Sequence, residues 1–354
     1  MKKILLLTLA FGFLTVTWAQ KHNKPVKTKA QKNFSIKAEK ATLGPTLEYS
    51  NPVSDYVSNP NNSKLDETQI GNTVYDWQTN QSMQNRIVMA DDGTIAAVWT
   101  MAQETSYADR GTGFNYKPAG EAWQDMPTER LESYRTGWPG IDVTANGNLV
   151  SVAHPGTGAL SILLKQSFSE GEWAEEVVES TIAAEHDILW PRMAVGGPNG
   201  QTVHVIGITA PTPNGGTVYQ DLDGALLYYR GTIAEDGGTM TVTWNIQDQI
   251  IDPLSSEYFI GFSGDSYGID AKGETVAIVA GDNMTDVILA KSTDNGDTWT
   301  RTVVNEFPIF KYEIDDGLDY NDDGEYDTTM TNDGAVTVSI DANDMCHVAY
   351  GVRV

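Results

Sequence analysis

A single cysteine, Cys346, stands in a chain of 354 residues. One thiol closes no internal disulfide and supplies no zinc cluster. Basic side chains are scarce as well: 23 Lys and Arg face 48 Asp and Glu, a formal net charge of −25. A surface of that sign repels phosphates and excludes nucleic acid as a partner. No apolar run reaches the roughly 18 residues that a membrane-spanning helix needs. Zinc-binding His-x-x-x-His pairs, nucleophile elbows and phosphate-cradling glycine loops are all missing. What is present is a hydrophobic content of 40%, nine Trp and 33 Gly. That is enough apolar material for a sizeable core and excludes wholesale disorder.

The basic residues are concentrated at one end. Met1-Lys2-Lys3 precedes an apolar run from Ile4 to Val16, which ends at Thr17-Trp18-Ala19. This is the pattern of a secretory signal peptide, residues 1–19, and no cysteine follows it to carry a lipid. The product is expected to be exported, to the cell surface or beyond it. The first 40 residues hold nine Lys and one acid, leaving 14 basic against 47 acidic residues, a net of −33. Residues 20–72 read as a polar, Lys-rich leader without sustained periodicity. The remaining residues, 73–354, carry the fold.

There the chain repeats itself. Arg86 to Trp99 alternates apolar and polar residues around the turn Asp91-Asp92-Gly93, a β-hairpin pattern. Related hairpins run from Ile141 to Ala153, Arg192 to Ile206, Gly268 to Ala280 and Val338 to Tyr350. Aligning Ile95, Leu149, Val203, Val276 and Cys346 gives spacings of 54, 54, 73 and 70 residues. The first four copies lead into a second hairpin whose last strand carries Trp123, Trp173, Trp244 or Trp299. Two hairpins per unit make four short strands, and about five such units predict an all-β chain folded as a β-propeller. The fifth unit halts at Val354 after its first hairpin, so the expectation is a propeller lacking one or more blades at its C-terminus. Thr73 to Trp77 is the candidate strand for closing it.

The fourth unit contains Ser292-Thr-Asp294-Asn-Gly296-Asp-Thr298-Trp299. It matches the pattern Ser/Thr-x-Asp-x-Gly-x-x-Trp and resembles the Asp box of sialidase-like propellers and their non-catalytic relatives. In such a turn Ser292 and Asp294 close the loop, Gly296 takes a positive φ and Trp299 packs beneath, so its role is structural. The phrases Gly137-Trp-Pro-Gly-Ile141 and Leu189-Trp-Pro-Arg-Met193, with Asp76-Trp-Gln-Thr-Asn80 before them, resemble secreted Bacteroidetes-type propeller proteins. The resemblance runs from about Gly71 onward and implies export more than any activity.

Function is expected on the face opposite the tight turns, where loops ride on a rigid scaffold. Arg110, Arg135, Trp138, His186, Trp190 and Tyr258 are the candidate ligand-binding residues, on loops where aromatic faces to stack on sugar rings meet many Asp and Glu to accept sugar hydroxyls. Asp319-Tyr-Asn321-Asp-Asp323-Gly324-Glu325-Tyr-Asp327 has the spacing of an EF-hand-type calcium loop. Asp319, Asn321, Asp323, Glu325 and Asp327 are its candidate ligands for a structural Ca2+, with Met330 where a bidentate acid is usual. The expected role is an extracellular binding module for a glycan or a protein. The alternatives are a sialidase-like glycoside hydrolase and a purely structural propeller segment. Against catalysis, Arg86 lies in Asn85-Arg-Ile-Val88, which lacks the proline of the sialidase Arg-Ile-Pro motif. His204 and His347 share one repeat position, and Cys346 is expected to be a buried small apolar residue.

Overall fold

A computed structural model describes residues 67–353, apart from 79–80, 156–158, 183–185, 314–316, 318 and 320–322. The signal peptide and most of the leader lie outside the described residues. Among the described residues, seventeen strands form five antiparallel sheets, each a meander in chain order. The first holds β1 (Ile87–Met89), β2 (Ile95–Met101) and β3 (Gly111–Lys117). The second holds β4 (Gly137–Val143), β5 (Leu149–His154), β6 (Ala159–Lys165) and β7 (Ala174–Glu179). Next come β8 (Ile188–Gly196), β9 (Thr202–Thr209), β10 (Leu226–Asp236) and β11 (Thr239–Gln249). The fourth is β12 (Tyr267–Lys272), β13 (Thr275–Ala280), β14 (Val287–Ser292) and β15 (Thr300–Asn305). The fifth pairs β16 (Thr331–Ile340) with β17 (Cys346–Arg353). The fold is a β-propeller, and the five aligned hairpins of the sequence are the first two strands of its five sheets.

The sheets stack face to face, and burial follows from that. Every residue of β5, β6, β9 and β13 is buried, because a middle strand is covered on both faces by neighbouring sheets. Their near-continuous Val, Ile and Leu content each contributes about 1.5–3 kcal/mol per fully buried side chain. β16 behaves differently: Val336, Val338 and Ile340 are buried while Thr337 and Ser339 between them are exposed. Among the described residues, one face of the fifth sheet packs on Ala277, Val279 and Val287 of the fourth.

Inner strands are stitched together by side chains that reach the next sheet. Asp142 accepts the Val195 N–H at 2.8 Å, and Asp270 accepts the Ile340 N–H at 2.7 Å. The first and fifth sheets are joined by Ser82, whose hydroxyl donates to the Val336 carbonyl at 2.7 Å and accepts the Val336 N–H at 3.0 Å. Tight turns gather at one end: the Ala145 N–H meets the Gly200 carbonyl at 3.0 Å and the Gly197 N–H meets that of Gly273 at 2.6 Å.

Three details depart from the expectation. The segment from Thr73 does not complete the last sheet. Val74 donates to the Ala102 carbonyl and Thr73 to that of Thr100, both beside β2, while Trp77 is left exposed. Gly71 explains the docking, since a Cβ there would lie 2.1 Å from the Trp99 ring, so only glycine lets the segment lie so close. Trp123 lies outside any strand, and the first sheet has three strands. The Gln124 carbonyl is held instead by the Asn115 side chain at 3.1 Å. Cys346 is half-buried beside the fifth sheet's apolar cluster rather than enclosed, because among the described residues that sheet packs on one face.

Candidate functional site

Opposite the tight turns, the inner strands bend. In β4 the register passes from Gly137↔His154 to Gly140↔Val152, so Trp138 and Pro139 together oppose Ala153. β8 repeats the device, with Trp190 and Pro191 between the pairs Leu189↔Ile208 and Arg192↔Ile206. Proline has no N–H to give the ladder, so a bulge at that residue wastes no donor. Both tryptophans are left-handed, at φ 49° and 47°. Asp265, two residues before β12, is left-handed too at φ 68°. For side chains with a Cβ this costs about 1–3 kcal/mol each, a strain that the surroundings must hold in place.

The bends bring a cationic, aromatic cluster to the channel mouth. His154, at the end of β5, lies between Trp138 and Trp190, with ring centroids 5.4 and 6.3 Å away. Arg110 places its guanidinium carbon 4.9 Å from the Trp138 ring and 5.4 Å from that of Tyr75, within cation–π range. Its Nε donates to the Thr136 carbonyl at 2.7 Å. Gly137 makes room, since a Cβ there would lie 2.8 Å from the guanidinium. Tyr107 packs edge-on against Tyr75 at 5.1 Å and accepts Arg135 Nε on its carbonyl at 2.9 Å. Deeper in, Arg192 is buried in an ion pair with Asp265 and donates to the Ser82 carbonyl at 2.8 Å. Arg86 reaches the Gln78 carbonyl at 2.6 Å.

Electrostatics at this end are dominated by cations. Burial, then Arg110, Arg192 and Arg135, hold His154 down to about 3, so its imidazole is neutral at ordinary pH. Burial and the Arg192 charge bring Arg86 down to about 10. Burial and Arg135 lower Arg110 as well.

Of the residues singled out in the sequence, Arg110, Arg135, Trp138 and Trp190 meet in this cluster. His186 is elsewhere, 5.2 Å edge-on from Tyr219 and 3.3 Å from the Thr217 hydroxyl. Tyr258 stacks under Arg301 at 4.4 Å, and Arg301 pairs with Asp286 at 3.1 Å. Tyr75, His154 and Asp265 complete the mouth; the sequence places His154 in a surface loop, whereas it ends β5 and is buried. The repeated Trp-Pro phrase was the available signal for the place, and the partners come from distant turns. Beside Trp190, a cleft of about 410 Å3 is lined by Pro211, Asp223, Phe262, Gly264, Asn283 and Tyr312. A second, of about 330 Å3, lies between the segment from Ile70 and Trp99.

At the other end of the disc, Ser292 and Asp294 close the Asp-box-like turn, while Asn295 Oδ1 and Trp299 Nε1 are buried without a partner among the described residues. Ser292 Oγ donates to Asp294 at 2.7 Å and accepts the Gly296 N–H at 2.8 Å. Asp294 accepts the Thr298 N–H and hydroxyl at 2.9 and 2.6 Å, and Trp299 packs edge-on against Tyr228 at 5.1 Å. In the calcium-spaced loop, Asp319 accepts the N–H groups of Asp323 and Gly324 at 3.0 and 2.9 Å, and Gly324 is left-handed at φ 86°. Asp323 accepts the Glu325 N–H at 2.9 Å. Asn321 lies outside the described residues. Among the described residues, no three His, Cys, Asp or Glu side chains converge as a metal site. No described helix is long and apolar enough to cross a membrane.

No protein-family model and no curated protein matches the chain. Among solved structures, it is similar to a protein of unknown function from Dyadobacter fermentans DSM 18053, at 10% identity and a TM-score of 0.39, covering 77% of this chain and 79% of that one. A GH43 endo-arabinanase from Bacillus licheniformis aligns at 11% identity and a TM-score of 0.36, over 79% of this chain and 96% of its own. A GH43_1 enzyme from Xanthomonas citri, complexed with xylotriose, aligns at 8% identity and a TM-score of 0.39, over 75% and 90%.

Proposed function

We propose that this chain is an exported β-propeller that binds a glycan at its channel mouth. The observation that carries the reading is the run Trp138–His154–Trp190 beside Arg110 and Arg135, held by two strained bulges. Aromatic faces take the apolar faces of sugar rings, and guanidinium groups take their oxygens. Binding is put before cleavage by a carboxyl pair, which needs two free carboxyl groups flanking the bond; sialidase-like cleavage with a Tyr nucleophile does not and stays the alternative. At the mouth, Asp265 is committed to Arg192. Structural Ca2+ at Asp319, Asn321, Asp323, Glu325 and Asp327 is part of the proposal, its chemistry being to neutralise clustered carboxylates and order their loop.

Calorimetric titration of the exported chain with a panel of neutral and acidic plant and algal oligosaccharides tests the reading. We expect saturable binding of at least one member, weakened about tenfold or more by Trp190→Ala, since a stacking aromatic contributes on the order of 1–3 kcal/mol. Binding by none would sink it. Turnover of aryl glycosides would replace it with the hydrolase alternative.

A further inference from the structure

Buried polar atoms without a partner, most of them donors, gather at the channel mouth. Trp138 Nε1, both ring nitrogens of His154, and the Nε atoms of Arg86 and Arg192 are buried without a partner. His154 is only 6% exposed and Arg110 only 7%. Arg110 gives its Nε to Thr136, its faces lie on the Tyr75 and Trp138 rings, and the Tyr75 hydroxyl is a favourable partner that, as a neutral phenol, carries no opposite charge. Arg135 acts on Arg110, and Arg110, Arg192 and Arg135 act on His154, all of them positive. This is unexpected in a chain with twice as many acids as bases. Buried donors without partners cost about 1–3 kcal/mol each, and buried unpaired charge costs more. A water molecule would satisfy the donors and leave the charge.

We propose that the place between Trp138, His154 and Arg110, with Arg135 at its rim, seats the oxyanion of an acidic sugar, a carboxylate or a sulfate ester. The inference rests on the glycan-binding reading and names its ligand class. Either group supplies the shared chemistry, several acceptor oxygens and one negative charge. It takes the Trp138 N–H, the one N–H of neutral His154, and the guanidinium charge of Arg110. Arg135, exposed and bonded through its Nε to the Tyr107 carbonyl, completes the rim.

The test titrates the full chain with galacturonate tetrasaccharide, a sulfated galactan tetrasaccharide and neutral galactotetraose. Charge-assisted bonds predict that an acidic tetrasaccharide binds about tenfold or more tightly than the neutral one. The preference should shrink in Arg135→Gln and in about 1 M salt, where screening is strong. The ring 15N signals of His154, assigned with His154→Phe, should move with the acidic ligand and not with the neutral one. Preference for only one acid identifies the group as carboxylate or sulfate. Equal affinity for acidic and neutral chains overturns this inference and leaves glycan binding standing. Binding by none of the three or by any other sugar removes both. An acidic preference with neither the Arg135→Gln effect nor a His154 shift overturns the site.

Discussion

At the tight-turn end of the disc, many side chains answer to residues two to four positions away; at the channel mouth the buried ion pair answers to residues dozens or hundreds away. Asp92 takes the N–H of Thr94, Asp294 that of Thr298, and Asp341 that of Met345. Arg192, by contrast, meets Asp265 and Ser82, and Ser82 meets Val336 at the far end of the chain. Both ends belong to the same strands and differ in what holds them. At the turn end each turn closes by its own side chains and is then tied to the next sheet by single bonds such as Gly197 to Gly273. The mouth is a single network assembled only when the ring forms, which gives it strained residues, buried charge and a place for a ligand.

The sharpest way to break that contrast is to cut one bond at each end. Asp265→Ala leaves Arg192 buried with its charge unpaired, and we expect a loss of about 3–5 kcal/mol in denaturant unfolding. Asp294→Ala removes two exposed bonds from Thr298 and one part-buried bond from Ser292, with no buried charge left behind, and should cost about 1 kcal/mol. Comparable losses at the two sites would end the distinction.

Glycine positions sharpen it further. Gly296 is left-handed at φ 87°, and a Cβ there would lie 2.0 Å from the Tyr228 hydroxyl. Gly147 is left-handed at φ 84° with nothing within 4 Å. Gly147→Ala should cost about 1 kcal/mol of backbone strain alone, and Gly296→Ala more by the displacement of Tyr228. Thermal unfolding of the two variants reads the difference, and equal losses would show that crowding plays no part.

Proton binding separates cross-sheet from local carboxylates. Burial pushes Asp142 up to about 6, against the Val195 and Val143 N–H bonds that lower it. Its folded form therefore holds a proton that the unfolded chain, at about 3.9, has lost, and its contribution to stability declines as pH rises from about 4 to 6. Asp294 is the opposite case, brought down to about 2 by Thr298 and Ser292. Its contribution is present above about pH 4 and fades as pH falls toward 2. Carboxyl 13C titration should give the two midpoints in that order, and a midpoint for Asp142 near 4 would remove the burial argument. The smallest effect is expected from calcium: millimolar Ca2+ should raise the unfolding temperature by a few degrees through its loop. No shift would sink the calcium assignment.

Much of the fold was legible because each hairpin is encoded within about 15 residues. Apolar alternation and turn glycines mark the five hairpins, and the structure has them as the first two strands of five sheets. Environment was less legible than position. His204 and His347 share one repeat position, yet His204 is fully buried with its Nδ1 2.7 Å from the Tyr228 hydroxyl, and His347 is exposed beside Asp341. Among the described residues, the third sheet packs on both faces and the fifth on one, a difference the repeat pattern does not carry. The Trp-Pro phrases pointed to Trp138 and Trp190, while the bulges that turn them left-handed depend on pairing with β5 and β9. Arg110 and Arg135 were named without His154, which binds the cluster together from the end of another strand.

By itself, the sequence determined the strands, their order and the closure of each turn, because those rest on alternation and on bonds spanning a few residues. The scarcity of bases and the single cysteine ruled out partners and staples on composition alone. Closure of the ring by Ser82, the pairing of Arg192 with Asp265 and the convergence of cations on His154 were decided only by the tertiary structure. Each joins residues separated by tens to hundreds of positions, and no local pattern records which distant side chain will be waiting when the sheets pack.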